Sequence, residues 1–429
     1  MSFSTDNFDF VDFKEDVSQL DYWLDERGYM SREDYKKGTV REYGFTEERI
    51  IQDFPIRGKA VYLHVSRRRW RDTQDGSIFT CDYDLVEEGS RLTPGFVAFL
   101  KGGIVSTLES IRSIGSHYGV NGSNLSRQYK EIFSDYRTWK QLGHAEEYIL
   151  YPQNIGSNLA IDETTLSCGE LYTFVTNRDA HGGKGALVAA IRGAKTETVT
   201  GVLELIPLAR RKTVKEMTLD LSSSMMLIAR RSFPKATVTN DRFHVHELYY
   251  DAIDELRISL RWMRDIENGE IARYRKEGIP YAPFRYANGD TRKQLLARAK
   301  YILTKHASKW TKSQQWRADI IFEFYPELKK AYELAMELTD IFNQKVEKDV
   351  ARLNLARWYD KVDSMDRGRF RTVTETFRNH YDTILNYFIN RSTNAGAESF
   401  NAKVKAFRSQ FRGVTDIPFF LFRLSRLCA

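Results

Sequence analysis

The fold is decided by five short apolar segments between residues 159 and 241, which read Leu159-Ala-Ile-Asp162-Glu163, Leu171-Tyr-Thr-Phe-Val-Thr176, Ala186-Leu-Val-Ala-Ala-Ile191, Val214-Lys-Glu-Met-Thr-Leu219-Asp220-Leu221 and Ala236-Thr-Val-Thr-Asn240-Asp241. Their length and their β-branched and aromatic content predict five strands. The glycines from Gly182 to Gly185 predict a hairpin turn between the second and third strands. Helices are predicted over 196–208 and over 222–231, where Pro234 stops the second helix. The predicted order is therefore βββαβαβ.

Two aspartates, Asp162 and Asp220, end the first and fourth predicted strands. In an α/β sheet of this order those strands lie side by side, so we expect the two carboxylates to converge at one edge. Carboxylates that close repel each other unless cations lie between them. Oxygen ligands suit Mg²⁺ or Mn²⁺, and two such ions support phosphodiester chemistry. The pattern predicts a site for two Mg²⁺ or Mn²⁺ ions that needs a third carboxylate.

A candidate for the third carboxylate stands in the stretch Ser392-Thr-Asn-Ala-Gly-Ala-Glu398-Ser-Phe-Asn401-Ala-Lys403-Val-Lys405-Ala-Phe-Arg408. Its polar start supplies helix-capping oxygens, and Phe400, Val404 and Phe407 recur at helical spacing as a buried stripe. Glu398, Asn401 and Lys405 share another face. Folds of the ribonuclease-H type take their last carboxylate from a late helix, which favours Glu398. The alternative, that Glu398 only complements the helix dipole, stays open.

The N-terminal part divides into an acidic segment, 1–50, and a β-rich segment, 51–100. The acidic run over 6–26 predicts a solvated arm or a helix pair. The Asp75-Gly76 pair predicts a small hairpin. Four arginines surround Trp70 in this module, namely Arg67, Arg68, Arg69 and Arg71. They indicate either a ribbon that faces DNA phosphates or a charged strand with no partner.

Residues 101–150 contain two helical segments within 106–133, separated by a glycine-containing break. This arrangement is typical of a helix-turn-helix, whose second helix enters the major groove of DNA. The predicted DNA-reading residues are Ser123, Asn124, Arg127 and Gln128. Such helix pairs also occur as plain packing units, and that alternative stays open.

Composition indicates a folded protein with a polyanionic partner. The chain carries 65 Lys and Arg against 58 Asp and Glu, a net charge of +7. Three scattered cysteines exclude a disulfide framework and a four-thiolate zinc site. The N-terminus lacks a leader pattern, and no 18-residue apolar run occurs, so neither secretion nor a membrane partner is expected. We expect a soluble protein of a reducing cytoplasm.

Four blocks resemble the DDE transposases of bacterial insertion sequences, in the ISL group that is third in its series. The blocks are Ile161-Asp162-Glu163, Val214–Ser222, Phe233–Val245 and Asn394–Lys405. The resemblance covers about 50–429 and implies cutting and joining of DNA at transposon ends. It makes Asp162 the first acidic ligand and Glu398 the last. For the middle ligand the strand order favours Asp220 over Asp241. The element Asp241-x-x-His244 resembles an element that lies beside the site in related transposases, and the resemblance implies that this pair orients DNA. The alternative is that Asp241 caps the following helix and that His244 packs within this helix.

The same family usually carries a zinc module before its helix-turn-helix. Here Asp72 and Asp75 stand where its cysteines are expected, so zinc is doubtful and the hairpin resembles a degenerate zinc ribbon. The catalytic core is predicted in two parts, 151–250 and 386–429, around an all-helical insertion at 251–385 that contacts DNA or a second subunit. The tryptophans of this region, Trp262, Trp310, Trp316 and Trp358, are mostly predicted to be core.

The predicted fold class is thus α/β, with a ribonuclease-H-like mixed sheet interrupted by helices and preceded by the hairpin module and the helix-turn-helix. The predicted function is a DNA transposase acting on terminal inverted repeats and target DNA, as a homodimer or higher oligomer in the bacterial cytoplasm, at the nucleoid when bound to DNA. Asn401, Lys403, Lys405 and Arg408 are predicted to hold DNA beside the metals. Two alternatives remain: a non-catalytic DNA-binding regulator with the same fold, and a ribonuclease-H-like nuclease without strand transfer.

Overall fold

The computed structural model of the protein describes residues 5–28, 38–167, 169–262, 264–365, 368–392, 395–411 and 414–429. Its strands are β1 (Phe8–Glu15), β2 (Gln19–Glu26), β3 (Val40–Phe45), β4 (Arg49–Ile56), β5 (Lys59–Ser66), β6 (Arg68–Asp72), β7 (Ile78–Thr80), β8 (Tyr148–Leu150), β9 (Asn158–Ser167), β10 (Glu170–Asn177), β11 (Leu187–Arg192), β12 (Glu216–Leu219) and β13 (Thr237–Asn240).

The helices of the first half are α1 (Pro94–Ser106), α2 (Ile111–His117), α3 (Gly122–Gln128), α4 (Thr196–Leu203), α5 (Leu208–Arg211), α6 (Ser223–Ser232) and α7 (Arg242–Arg261). The later helices are α8 (Arg264–Lys276), α9 (Arg292–Arg298), α10 (Lys300–Leu303), α11 (Lys312–Phe324), α12 (Pro326–Asn343), α13 (Lys348–Asp363), α14 (Arg369–Leu385), α15 (Tyr387–Asn390), α16 (Ala395–Ser409) and α17 (Ile417–Cys428). None of the described helices is both long and apolar enough to cross a membrane.

The acidic N-terminal segment forms strands, so the predicted solvated arm or helix pair is wrong. Strands β1, β2, β5 and β4 make one sheet in that order, and β3, β6 and β7 make a second. The acidic residues are not all solvated: Asp21 and Glu26 are buried. Asp21 lies 2.9 Å from His64 Nε2, and Glu26 accepts the backbone N–H of Arg68 at 2.9 Å. These partners lie about 40 residues away along the chain, so a local charge pattern cannot predict the contacts.

The predicted Asp-Gly hairpin is confirmed between β6 and β7, which pair in antiparallel fashion. The aspartates that replace the expected cysteines hold its turn. Asp72 accepts the backbone N–H of Gln74 at 2.9 Å, and Asp75 accepts that of Ser77 at 2.8 Å. The side-chain hydroxyl of Ser77, and then this backbone N–H, hold the pKa of Asp75 below its usual range. Side-chain oxygens that satisfy turn amides stabilise the local backbone, so the hairpin has a means of keeping its shape through its aspartates.

Helices α2 and α3 form the predicted helix-turn-helix, preceded by α1. The first of these helices begins at Ile111, later than predicted, because Ser110 accepts the N–H of Ser113 and caps it. The two helices approach closely where both carry glycine. A Cβ on Gly122 would lie 2.5 Å from the carbonyl oxygen of Arg112, and one on Gly115 would lie 2.8 Å from Gly122 Cα. Only glycine permits this spacing.

The central sheet has the strand order β13-β12-β9-β10-β11-β8. The predicted βββαβαβ succession is confirmed, with β9, β10 and β11 as an antiparallel meander and β12 parallel to both β9 and β13. Strand β8 adds an edge to β11 that the sequence pattern did not indicate. Helices α4 and α6 cover one face through Val199, Leu203, Met225 and Ile228. The other face packs against α16 and α17.

From α7 to α14 the chain is helical around its own hydrophobic core, as predicted for 251–385. Trp358 is fully buried and donates to the carbonyl of Leu334 at 2.8 Å. Trp310 is partly buried against the same core. The prediction that most of these tryptophans are core is wrong for Trp262 and Trp316, which are about half exposed on helix surfaces.

The last helix, α17, is buried on two sides. Phe420, Leu421 and Leu424 pack on the central sheet, whereas Phe419 and Phe422 pack on the helix-turn-helix core. Arg423 is 2% exposed, and its guanidinium donates to the carbonyls of Ile104 at 2.8 Å and Glu109 at 3.2 Å. Ile104 lies in the last turn of α1, whose carbonyls need donors from outside the helix. Helix α17 therefore joins the helix-turn-helix to the central sheet.

Candidate active site

Asp162 and Asp220 lie level with each other on neighbouring parallel strands. Ala160 of β9 pairs with Thr218 of β12, and each aspartate follows its paired residue by two positions. Asp162 does not end its strand as predicted, because β10 continues to pair with β9 beyond it, as far as Ser167. Asp220 follows the last residue of β12. The register therefore brings the two carboxylates to the same level of neighbouring strands, as the strand order predicts.

The position of Asp220 beside Asp162 affects the pKa of the Asp162 carboxylate. Burial, and then repulsion from Asp220, raise the pKa of Asp162 to about 6. The same two causes raise the pKa of Glu163. The backbone N–H of Glu163 donates to Asp162 Oδ1 at 2.7 Å, and Asn401 Nδ2 donates to Asp162 Oδ2. The site therefore disfavours a second negative charge unless a cation offsets it.

His244 supplies one compensating charge. In the first turn of α7, its Nε2 lies 2.8 Å from Asp220 Oδ1, and its Nδ1 lies 3.1 Å from Glu247 Oε2. The bond to Asp220 raises the pKa of His244 to about 9, so the ring is an imidazolium at neutral pH. His244 thus contacts the site beside Asp162, which disagrees with the alternative that it packs within the helix.

Asp241 occupies the N-cap position of α7 and is buried. Its backbone N–H donates to the carbonyl of Leu219 at 2.9 Å, and its charge contributes to the raised pKa of His244. Asp220, in contrast, faces Asp162 closely enough to raise the pKa of that carboxyl. This difference favours Asp220 as the middle ligand, which stays a prediction.

Helix α16 carries Glu398 and is anchored on the meander. The predicted apolar stripe of Phe400, Val404 and Phe407 is buried against the sheet. Lys403 Nζ donates to the carbonyl of Gly182 at 2.6 Å, and Arg408 donates to that of Thr165 at 2.8 Å. The predicted capping residues Thr393 and Asn394 lie outside the described residues.

Glu398 is exposed in the first turn of α16, three residues before Asn401. Residues three apart on a helix share a face, with their Cβ atoms about 5–6 Å from each other. Asn401 contacts Asp162, and Glu398 shares the helix face of Asn401. Within the described part of the chain, no three His, Cys, Asp or Glu side chains are grouped closely enough to hold a metal ion. Glu398 as the third ligand is accordingly a proposal.

A family model of transposases, the ISL3 group of the DDE type, matches residues 159–424. The chain belongs to this family. The match spans both aspartates, His244 and Glu398, and more than half of the chain. No curated protein matched the sequence. Membership makes the protein a polynucleotidyl transferase of DNA transposition, and it implies DNA binding and the use of divalent metal ions.

The transposase uses several of its predicted DNA-binding residues within its own fold. Arg68 pairs with Glu42 and lies over the ring of Phe45. Arg69 and Arg71 both lie over the ring of Tyr43. Arg67, Arg68 and Arg69 are half-buried and Arg71 is exposed, and a DNA-facing role for them stays a prediction.

In the helix-turn-helix of the transposase, Ser123, Asn124 and Arg127 are exposed on α3. Gln128 instead donates to the carbonyl of Gly89 at 2.9 Å. In α16, Lys405 is exposed, whereas Asn401, Lys403 and Arg408 are bonded to the catalytic sheet. The exposed side chains keep their predicted role as DNA contacts.

Sequence reasoning missed two residues of the transposase site. Glu163 is partly buried beside Asp220, and its place directly after Asp162 was the available signal. Arg178 donates to Thr218 Oγ1 at 2.5 Å and lies 3.4 Å from Glu216, so it bridges the meander and β12. Nothing in the local sequence around Arg178 indicated this bridge, which depends on the strand order.

Proposed function

We propose that Asp162, Asp220 and Glu398 bind two Mg²⁺ or Mn²⁺ ions and that the protein cleaves the ends of an insertion sequence and joins them to target DNA. The observation that carries the proposal is the pair Asp162 and Asp220, placed level on adjacent strands, with the pKa of Asp162 raised to about 6. Two carboxylates held in mutual repulsion fit a cation site and have no evident use in a protein that only binds DNA.

The donor set fits these ions. Carboxylate oxygens are the ligands that Mg²⁺ and Mn²⁺ prefer. Bound ions of this kind activate an attacking oxygen and stabilise the leaving oxygen of a phosphodiester. His244 holds the carboxylate of Asp220 from the side of α7, and Asn401 holds that of Asp162 from α16.

The rest of the chain supports a DNA substrate. The helix-turn-helix presents Ser123, Asn124 and Arg127 at its surface for the terminal sequence, and Lys405 presents a cation on the helix of Glu398 for the phosphate backbone. Because α17 packs on both parts, DNA read by α3 is held at a constant position relative to Asp162. Action as a homodimer or higher oligomer belongs to the same proposal, since two ends must be joined.

The test is cleavage of labelled DNA that carries the element's end, with Mg²⁺, by wild type and by Asp162→Asn, Asp220→Asn, Asp241→Asn and Glu398→Gln. We expect each change at Asp162, Asp220 and Glu398 to abolish nicking while DNA binding persists. Full activity of Glu398→Gln would refute the proposed ligand set. Loss in Asp241→Asn with retention in Asp220→Asn would reverse the choice of middle ligand.

A second assay supplies a pre-cut end and a target plasmid. Joined products are expected from wild type and refute the nuclease without strand transfer. Specific DNA binding with neither nicking nor joining would favour the non-catalytic regulator.

A further inference from the structure

Asn401 connects the helix of Glu398 to the carboxylate of Asp162. Its amide Nδ2 donates to Asp162 Oδ2, and the residue is 8% exposed. A side chain that holds DNA needs access to the phosphate backbone. This amide is instead enclosed between the helix and the sheet, with its donor directed at a carboxylate.

The two oxygens of Asp162 have different donors. Oδ1 accepts the backbone N–H of Glu163 at 2.7 Å, and Oδ2 accepts the Asn401 amide. Each carboxylate oxygen has two acceptor positions, so one position on each oxygen is occupied by the protein and another is left for a cation. The Glu163 bond belongs to the strand itself. Asn401 is the side chain that fixes the second oxygen and thereby the plane of the carboxylate.

We propose that Asn401 is a positioning residue for metal binding: it orients the Asp162 carboxylate and sets the register of α16 so that Glu398 reaches the same edge of the sheet. This inference rests on the proposed function. Asn401 contacts a ligand rather than the ions, and groups that hold metal ligands in place commonly change metal affinity by about 10- to 100-fold when removed.

The chain offers a matched control for simple anchoring of the helix. Lys403 lies two residues along α16 and donates to the carbonyl of Gly182 at 2.6 Å. That bond also fastens α16 to the meander, but it does not involve Asp162. If Asn401 served only to hold the helix, Asn401→Leu and Lys403→Met would have the same effect on metal affinity.

The experiment measures binding of Mn²⁺ to the full chain without DNA, from the electron paramagnetic resonance signal of the free ion, with thermal unfolding as the check on folding. Asn401→Leu keeps the approximate volume of the amide and removes the donor. We expect its Mn²⁺ dissociation constant to rise about 10- to 100-fold, while Lys403→Met stays within about threefold of wild type. Raising the Mn²⁺ concentration should then restore nicking by Asn401→Leu.

Asp162→Asn separates failure of the inference from failure of the proposed function. If Asp162→Asn binds Mn²⁺ as wild type does, the proposed metal site is wrong and the inference falls with it. If Asp162→Asn binds weakly and Asn401→Leu binds like wild type, only the inference is overturned. Should Asn401→Leu not fold, Asn401→Ser is used, because its short hydroxyl cannot reach Asp162; wild-type affinity of that variant overturns the inference as well.

Discussion

Replacing Gly182 with alanine tests whether catalysis depends on where α16 rests. Gly182 lies in the connection between β10 and β11 with φ +71°, and it is buried against the first turns of α16. A Cβ there would lie 3.1 Å from Phe400 N and 3.1 Å from Ser399 Oγ. The methyl group would therefore press on the turn that carries Glu398.

The expected size of the effect has two parts. An alanine in the left-handed region costs roughly 1–2 kcal/mol of stability. Relief of the two contacts requires α16 to move by about 0.3 Å, since ordinary van der Waals contact of a Cβ begins near 3.4 Å. A misplacement of 1 Å can reduce a rate by about 10²-fold. If the logarithm of the rate falls in proportion to the displacement, a shift of about 0.3 Å reduces the nicking rate roughly fourfold.

Gly185→Ala is the control. Gly185 has φ +83° in the same connection, but a Cβ at this position would have no atom of the described residues within 4 Å. Both variants should lose similar stability in thermal unfolding. Only Gly182→Ala should also lose about fourfold in the single-turnover nicking rate at saturating DNA and Mg²⁺. Equal rates in the two variants, at temperatures where both are folded, would refute the reasoning.

Three further predictions concern other parts of the chain. Burial lowers the pKa of His246 to about 4. The unfolded chain therefore takes up the proton first, and the stability present above pH 6.5 is lost as the pH falls towards 4. His246→Phe should remove about 2–3 kcal/mol of the difference in unfolding free energy between pH 7.5 and pH 4.5, measured by urea unfolding. Trp358→Phe should lower the unfolding free energy of the helical region by about 1–3 kcal/mol, because the carbonyl of Leu334 loses its buried donor; hydrogen exchange in α12 and α13 measures this, and unchanged protection would contradict it. Arg423→Met should lower the stability of the helix-turn-helix by about 2–4 kcal/mol, because the carbonyls of Ile104 and Glu109 lose the guanidinium donor. Faster proteolysis within α1 to α3 is the expected result, and wild-type resistance would contradict it.

The parts of the fold that were predictable are those whose signals are local. The five core strands and the buried stripe of α16 follow from runs and spacings that short windows contain. The continuation of β9 past Asp162 does not, because it depends on β10 pairing with residues that are polar. The N-terminal strands were missed for a related reason: the acidic residues Asp21 and Glu26 have partners in distant strands, and a charge pattern cannot distinguish a solvated carboxylate from a bonded one.

The candidate site likewise has parts that were predictable from the sequence and parts that were not. The meeting of Asp162 and Asp220 followed from strand order, which restricts neighbours in a sheet strongly. The bond from Asn401 to Asp162 spans 239 positions and depends on the rotation of α16 about its axis. Helical spacing placed Asn401 on the face of Glu398 but could not say whether that face met DNA or protein.

The bond from Arg423 to Ile104 has a consequence for synthesis of the protein. The two residues are 319 positions apart. At roughly 5–20 residues per second, a ribosome makes Arg423 about 15 to 60 seconds after Ile104. During that interval the end of α1 lacks this donor, and the aromatic surface that receives Phe419 and Phe422 lacks its cover. A nascent chain consequently completes the packing of the helix-turn-helix only after Asp162, Asp220 and Glu398 have been translated, so this unit reaches its final stability late in synthesis.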